Sequence, residues 1–313
     1  MTVILGINLT DRVYIAADTR VSKILDGEVL PLHDNMMKIA NIEGIVIACA
    51  GDAGLAAHIL RSIRSEKLAD HGIDHFKQNI ASWIAPMCEG YWSTTGHTTY
   101  ATLICGGRSK QRKKWVDRKK FNDMLNAFYT DPELNGNVAL LRDGLAEGLL
   151  SQSSNKVKTS YYDTLLFSVS VSHLGITLTD TEWGQHLIFG SPGLVKEDVA
   201  LSHIARLEFG KGERQGTHAM LLTAYLYSIT KERNLEGVGS TVVPVGIEAN
   251  GLVGIQAGGV HVIEDPDEKM PTVKTISHID SIGGKLHRIE KEGKYPLQFI
   301  EEYNPQDFDK LIL

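Results

Sequence analysis

The chain has 313 residues, 42% hydrophobic and 22% charged, with a net charge of −6. This is the composition of a soluble globular protein with enough chain for one large domain or two modest ones. The negative balance gives no overall pull toward nucleic acid or anionic membranes, and no apolar run approaches the roughly 20 residues that a membrane helix needs.

The N-terminus also lacks the basic-then-apolar pattern of a secretory signal. The three cysteines, Cys49, Cys88 and Cys105, are widely spaced and odd in number. That argues against a disulfide framework or a zinc site and fits a reducing cytoplasm.

Residues 2–9 are rich in β-branched and aliphatic side chains and read as a strand. Thr10-Asp11-Arg12 is a turn, and residues 13–17 return as the second strand of a hairpin. Residues 22–35, with Gly27 and Pro31, read as an irregular connection. Residues 36–39 and 44–50 read as two strands with a turn at 41–44. Residues 53–67 place Leu55, Ile59, Leu60 and Ile63 at helical spacing, with Arg61, Arg64 and Lys67 on the outer face and Asp52 as N-cap. Residues 74–92 repeat the pattern with Phe76, Ile80, Trp83, Ile84 and Met87, and Pro86 limits or kinks that helix.

Residues 100–105 read as a short strand closed by Gly106-Gly107. The composition then breaks. Residues 108–120 carry eight Lys or Arg in thirteen positions, together with Trp115. The run reads as a solvated loop, with RNA contact as the alternative. Asp131-Pro132, Asn135-Gly136 and residues 151–155 are loop chemistry around one helix at 138–150. Residues 108–161 are therefore read as an insertion. Strands follow at 163–171, 175–179 and 186–189, then a Gly190-Ser191-Pro192-Gly193 turn and helices at 194–208 and 213–233. A last hairpin, 241–247 with 252–256, turns around Asn250-Gly251. This divides the chain into a domain over 1–264 and a polar C-terminal extension over 265–313. The order of elements alone indicates an α+β class.

Several residues carry chemistry. If Met1 is removed, Thr2 holds a hydroxyl and a free α-amine on one residue, a nucleophile and a base together. The amine's ordinary pKa, near ~8, leaves a useful fraction neutral at cellular pH. A nearby ammonium favours the alkoxide. A glycine such as Gly51, at a strand-to-helix junction, lets a substrate carbonyl approach the backbone beside a helix N-terminus. His71 and His75 stand four apart, with no third ligand near in sequence, so a metal site is not expected.

Thr2-Val3-Ile4-Leu5-Gly6-Ile7, Val13 to Arg20 with its Ala16-Ala17-Asp18-Thr19-Arg20, Lys38-Ile39, and Ile47 to Gly54 occur in this order and approximate spacing. Together they resemble the N-terminal half of proteasome β-type subunits and of the related bacterial HslV-type proteases. The chain is similar to a divergent bacterial-type proteasome homologue among the N-terminal nucleophile (Ntn) hydrolases. The resemblance covers 2–65 clearly, extends over 97–107 and 162–262, and is missing from 108–161 and beyond 265.

It implies a four-layer αββα sandwich of two antiparallel sheets. It also implies a threonine-type peptidase that cleaves peptide or amide bonds without a cofactor, a homo-oligomeric ring, and an ATPase partner. Nucleic acid is not an expected partner. By the same resemblance Thr2 is the nucleophile and Asp18 is the counter-ion of Lys38. Arg20 supports the Asp18 turn, Gly51 supplies the oxyanion N–H, and the Ser191 hydroxyl bonds the amine. The family's Asp-x-x-Ser-Gly element has no direct counterpart in Glu232 to Ser240. Asn234 or Glu236 would replace its Asp, and Gly239 or Ser240 its serine. The alternatives are a small-molecule amidase on the same fold and a catalytically silent ring-forming subunit.

Overall fold

The computed structural model describes residues 2–8, 12–25, 28–33, 36–117, 156–182, 185–190, 241–248, 255–257, 259–264, 272–282, 285–290 and 298–299. The chain opens with the expected hairpin, β1 (Val3–Asn8) and β2 (Arg12–Asp18), paired antiparallel with Ile4 opposite Ala17. The stretch read as irregular is instead a second hairpin, β3 (Val21–Leu25) and β4 (Glu28–His33), with a bulge between Val21 and Ser22 and Pro31 opposite Ser22. Among the described residues this hairpin is a sheet of two strands. A proline is tolerated there, because an edge strand can dispense with one ladder N–H. The strand expected over 36–39 is broken at Lys38 into β5 (Met36–Met37) and β6 (Ile39–Ile42), and β7 (Ile45–Gly51) follows.

Helix α1 (Ala53–Ser65) starts as its sequence requires. The Asp52 carboxylate accepts the Leu55 N–H at 2.7 Å, and Leu55, Ile59, Leu60 and Ile63 are buried. Helix α2 (Gly72–Thr95) is longer than expected and continues past Pro86, which does not end it. Pro86 lies on the exposed side of the helix, where water can satisfy the carbonyl left without a donor.

The larger correction concerns Gly106-Gly107. They do not end a strand. β8 (Ala101–Asp117) continues past them and pairs antiparallel along its length with β9 (Lys156–Ser172). The glycines answer to packing instead. A Cβ on Gly106 would crowd the Ile15 and Ile247 side chains, and one on Gly107 would crowd Ile73.

After β10 (Gly175–Asp180) and β11 (His186–Gly190) come β12 (Thr241–Glu248) and β13 (Ile255–Ala257), the expected hairpin. β14 (Gly259–Glu264), β15 (Thr272–Ile282) and β16 (Lys285–Glu290) follow, and β17 (Gln298–Phe299) pairs parallel with β5.

Most strands fall into two antiparallel sheets, so the fold is α+β. Among the described residues one sheet has eight strands in the order β11-β1-β2-β12-β14-β15-β16, with β13 on β12; the other has five, β10-β9-β8-β7-β6. The stretch read as a C-terminal extension thus adds β15 and β16 to the larger sheet. Ile4, Val13, Ile15, Val46, Ala48, Ile104, Leu166 and Val245 fill the space between the sheets. Ile47, Cys49, Leu103 and Phe167, on the other face of the smaller sheet, pack against α1 and α2. These are three of the four expected layers. The helices expected at 138–150, 194–208 and 213–233 lie outside the described residues. No helix among the described residues is long and apolar enough to cross a membrane.

Candidate functional site

The site forms where the N-terminus, the end of β2 and the break between β5 and β6 meet. Pairing of β1 with β2 brings Val3 beside Asp18. The Asp18 carboxylate accepts the Val3 N–H at 2.8 Å through Oδ1 and the Arg20 N–H at 3.0 Å through Oδ2. The second bond, to the residue two positions on, is the turn chemistry that an aspartate at a strand end favours. Lys38 is placed by its own backbone, whose carbonyl accepts the Cys49 N–H at 2.9 Å, and by β6, which pairs with β7.

The Lys38 ammonium donates to Thr2 Oγ1 at 2.9 Å and to Asp18 Oδ1 and Oδ2 at 2.9 and 3.0 Å. It also donates to the main-chain carbonyl of Arg20. Thr2, Asp18 and Lys38 are 9%, 1% and 4% exposed. An ammonium has three protons, and four acceptors surround this one, so the two carboxylate oxygens share its charge. Removal of either partner would leave a buried charge uncompensated. Because Thr2 Oγ1 accepts from Lys38, its own proton points away from the ammonium, and a base must take that proton from another side.

Arg20 enters through its backbone: its N–H and carbonyl are what hold Asp18 and Lys38. Gly51 ends β7 at φ +99° and is exposed, unlike the buried residues before it. It lies two residues beyond Cys49, whose N–H donates to the Lys38 carbonyl. A Cβ there would run into the Tyr100 carbonyl oxygen, which also accepts the Asp52 N–H at 2.8 Å. Glycine at 51 is therefore required by the backbone whatever else it does.

The structure adds one residue that the sequence reading passed over. Gly190, at φ +139°, pairs with Val3, and a Cβ on it would run into the Thr2 carbonyl oxygen. It is the first residue of Gly190-Ser191-Pro192-Gly193, and a glycine opening that segment is the signal the sequence carries. Ser191, Asn234, Glu236, Gly239 and Ser240 lie outside the described residues. His71 and His75 do meet, with ring centroids 5.0 Å apart, but no cluster of three metal-ligating side chains occurs among the described residues.

No family model matches the chain, and no curated protein matches it. Among solved structures the chain is similar to the Anbu (Gly-1) mutant from Hyphomicrobium sp. strain MC1. The identity is 13% over 82% of this chain and 87% of that chain, with a TM-score of 0.44.

Proposed function

We propose that the chain is an N-terminal threonine hydrolase, proteasome-like in its chemistry, that cleaves peptide or amide bonds once the bond between Met1 and Thr2 is opened. The observation that carries this reading is the Lys38 ammonium, 2.9 Å from Thr2 Oγ1 and clasped by both oxygens of Asp18. A buried lysine aimed at a hydroxyl serves no packing purpose that a methionine would not serve better. It does stabilise negative charge on that oxygen.

In this reading the freed Thr2 amine takes the hydroxyl proton and Oγ1 attacks the substrate carbonyl. The proton then passes to the departing amine. The resulting ester is opened by water, with the same amine as base. The Gly51 N–H holds the oxyanion, next to the N-terminus of α1. Asp18 keeps Lys38 charged and in place. Assembly into a ring and service by an ATPase belong to the same reading, and light scattering on the purified chain tests the ring.

A peptide epoxyketone reacts with the hydroxyl and the amine of one residue. Mass spectrometry of the treated chain should find Met1 gone and the adduct on Thr2, and Thr2→Ala should give no adduct and no hydrolysis while keeping the fold. An active chain that retains Met1, or an active Thr2→Ala variant, would refute the mechanism. A processed chain that hydrolyses small amides but no peptide would replace peptidase by amidase. A chain that is never cut and never labelled would make it a silent subunit.

A further inference from the structure

The smaller sheet gives up its flanking strands partway along β8 and β9. β7 pairs with β8 only as far as Ile45 opposite Gly107, and β10 pairs with β9 only from Phe167 onward. β8 and β9 continue together, from Arg108 opposite Thr164, across a bulge between Arg108 and Gln111, to Asp117 opposite Lys156. The expected loop thus begins and ends as a two-stranded ribbon, on the order of 30 Å long at the usual rise per residue. No other strand borders it among the described residues. It leaves the sheet beside the start of α2, where Ser109 Oγ donates to Asp74 Oδ2 at 2.6 Å.

A two-stranded ribbon is by itself marginally stable. Lys110, Gln111 and Arg112 are exposed. Arg112 pairs with Asp163 at 2.6 Å, and the Arg108 guanidinium lies 4.8 Å from the centre of the Tyr162 ring. At that exposure these contacts contribute little to stability.

The ribbon concentrates positive charge in a chain whose net charge is −6. Arg108, Lys110, Arg112, Lys113 and Lys114 on β8, with Lys156 and Lys158 on β9, stand against Asp117 and Asp163. Successive strand positions alternate between faces, and three positions in a row, 112–114, are basic in sequence. Trp115, Tyr161 and Tyr162 lie among them, with Trp115 opposite Lys158. Mutual repulsion of so many cations disfavours the ribbon, and a polyanion removes that repulsion.

We propose that the β8–β9 ribbon binds single-stranded nucleic acid, through phosphate contacts to its lysines and arginines and through stacking of bases on its aromatic positions. A flexible strand can follow both faces and use the π-surfaces between the cations. A folded acidic protein, or a stiff duplex, would meet one face and leave the other repulsion in place.

Fluorescence anisotropy of the full chain with labelled oligo-dT and oligo-U, a matched duplex and polyglutamate tests this. Binding to the single strands should be at least tenfold tighter than to the duplex or to polyglutamate. If about four phosphates are neutralised, affinity should fall roughly 50-fold between 50 and 200 mM salt. Lys110→Gln with Lys113→Gln and Lys114→Gln should weaken binding more than tenfold and flatten the salt slope, with the circular dichroism spectrum unchanged. Trp115→Ala should weaken binding while leaving the slope as it was. No binding at 50 mM salt overturns the proposal, as does equal or tighter binding to duplex or polyglutamate. An unaltered affinity in Trp115→Ala removes the stacking and overturns the assignment to a single strand.

Discussion

Asp18→Asn is the most informative single change in the buried cluster. From the sequence it is the milder one, since an amide can still accept a hydrogen bond from Lys38. The geometry reverses this. Asp18 Oδ1 accepts from Val3 N–H at 2.8 Å and from Lys38 at 2.9 Å; Oδ2 accepts from Arg20 N–H and from Lys38, both at 3.0 Å. An asparagine supplies one oxygen and one NH2. Either orientation sets the NH2 against a backbone N–H and against the ammonium, donor facing donor. The variant also strands a buried charge, a loss that typically costs about 3–5 kcal/mol. We expect a loss of about 4 kcal/mol, a large share of the roughly 5–15 kcal/mol that holds most folds. In urea, with a slope near ~3 kcal/mol/M, the unfolding midpoint should drop by about 1.3 M. Tryptophan fluorescence follows the transition. Adding Lys38→Met to Asp18→Asn removes the stranded ammonium, so the double variant should be more stable than Asp18→Asn alone. A shift under about 1 kcal/mol in the single variant, or a double variant that is less stable still, would refute the argument.

Three further outcomes follow from the same geometry. Lys38→Ala should lower hydrolysis by roughly 10²–10⁴, mostly in kcat, because the ammonium acts on the attacking oxygen; peptide turnover within a factor of three of the parent would show that Lys38 is structural. Gly190→Ala should lower the melting temperature and abolish epoxyketone labelling of Thr2, whereas Gly44→Ala, at φ +85° in open space, should keep the labelling and cost only about 1 kcal/mol of backbone strain. Equal melting and labelling in the two variants would dismiss the contact with Thr2. The thiols Cys49, Cys88 and Cys105 are all buried, and Cys88 has its pKa pushed up to about 11 by burial and by Glu89 beside it, while burial raises Cys105 too. Thiolate, the reactive form, is therefore scarce at pH 8, and Ellman's reagent should label none in the native protein and all three in urea. Fast native labelling of Cys88 would contradict its placement on the buried face of α2.

What the residues settle by themselves is local and periodic. α1 is legible because its cap and its apolar positions repeat within one turn of each other: Asp52 accepts the Leu55 N–H, and Leu55, Ile59, Leu60 and Ile63 fall on one face. The β1–β2 hairpin is legible for the same reason. The chemistry of Thr2, Asp18 and Lys38 could be named from order and type. What joins them could not, because 20 residues of chain separate Lys38 from Asp18 and 36 separate it from Thr2, and only sheet pairing closes those gaps. Main-chain partners are silent in sequence, so the Arg20 carbonyl on Lys38 and the Gly190 backbone against Thr2 emerged only with the fold. Gly106-Gly107 show the limit most plainly. A glycine pair can mark a turn or a place where two layers come too close for a side chain. The two cases have the same letters. Ile15 and Ile247 from the facing sheet and Ile73 from α2 decide between them, and none of these is near in sequence. With that decision β8 runs on, and a cationic loop becomes a ribbon.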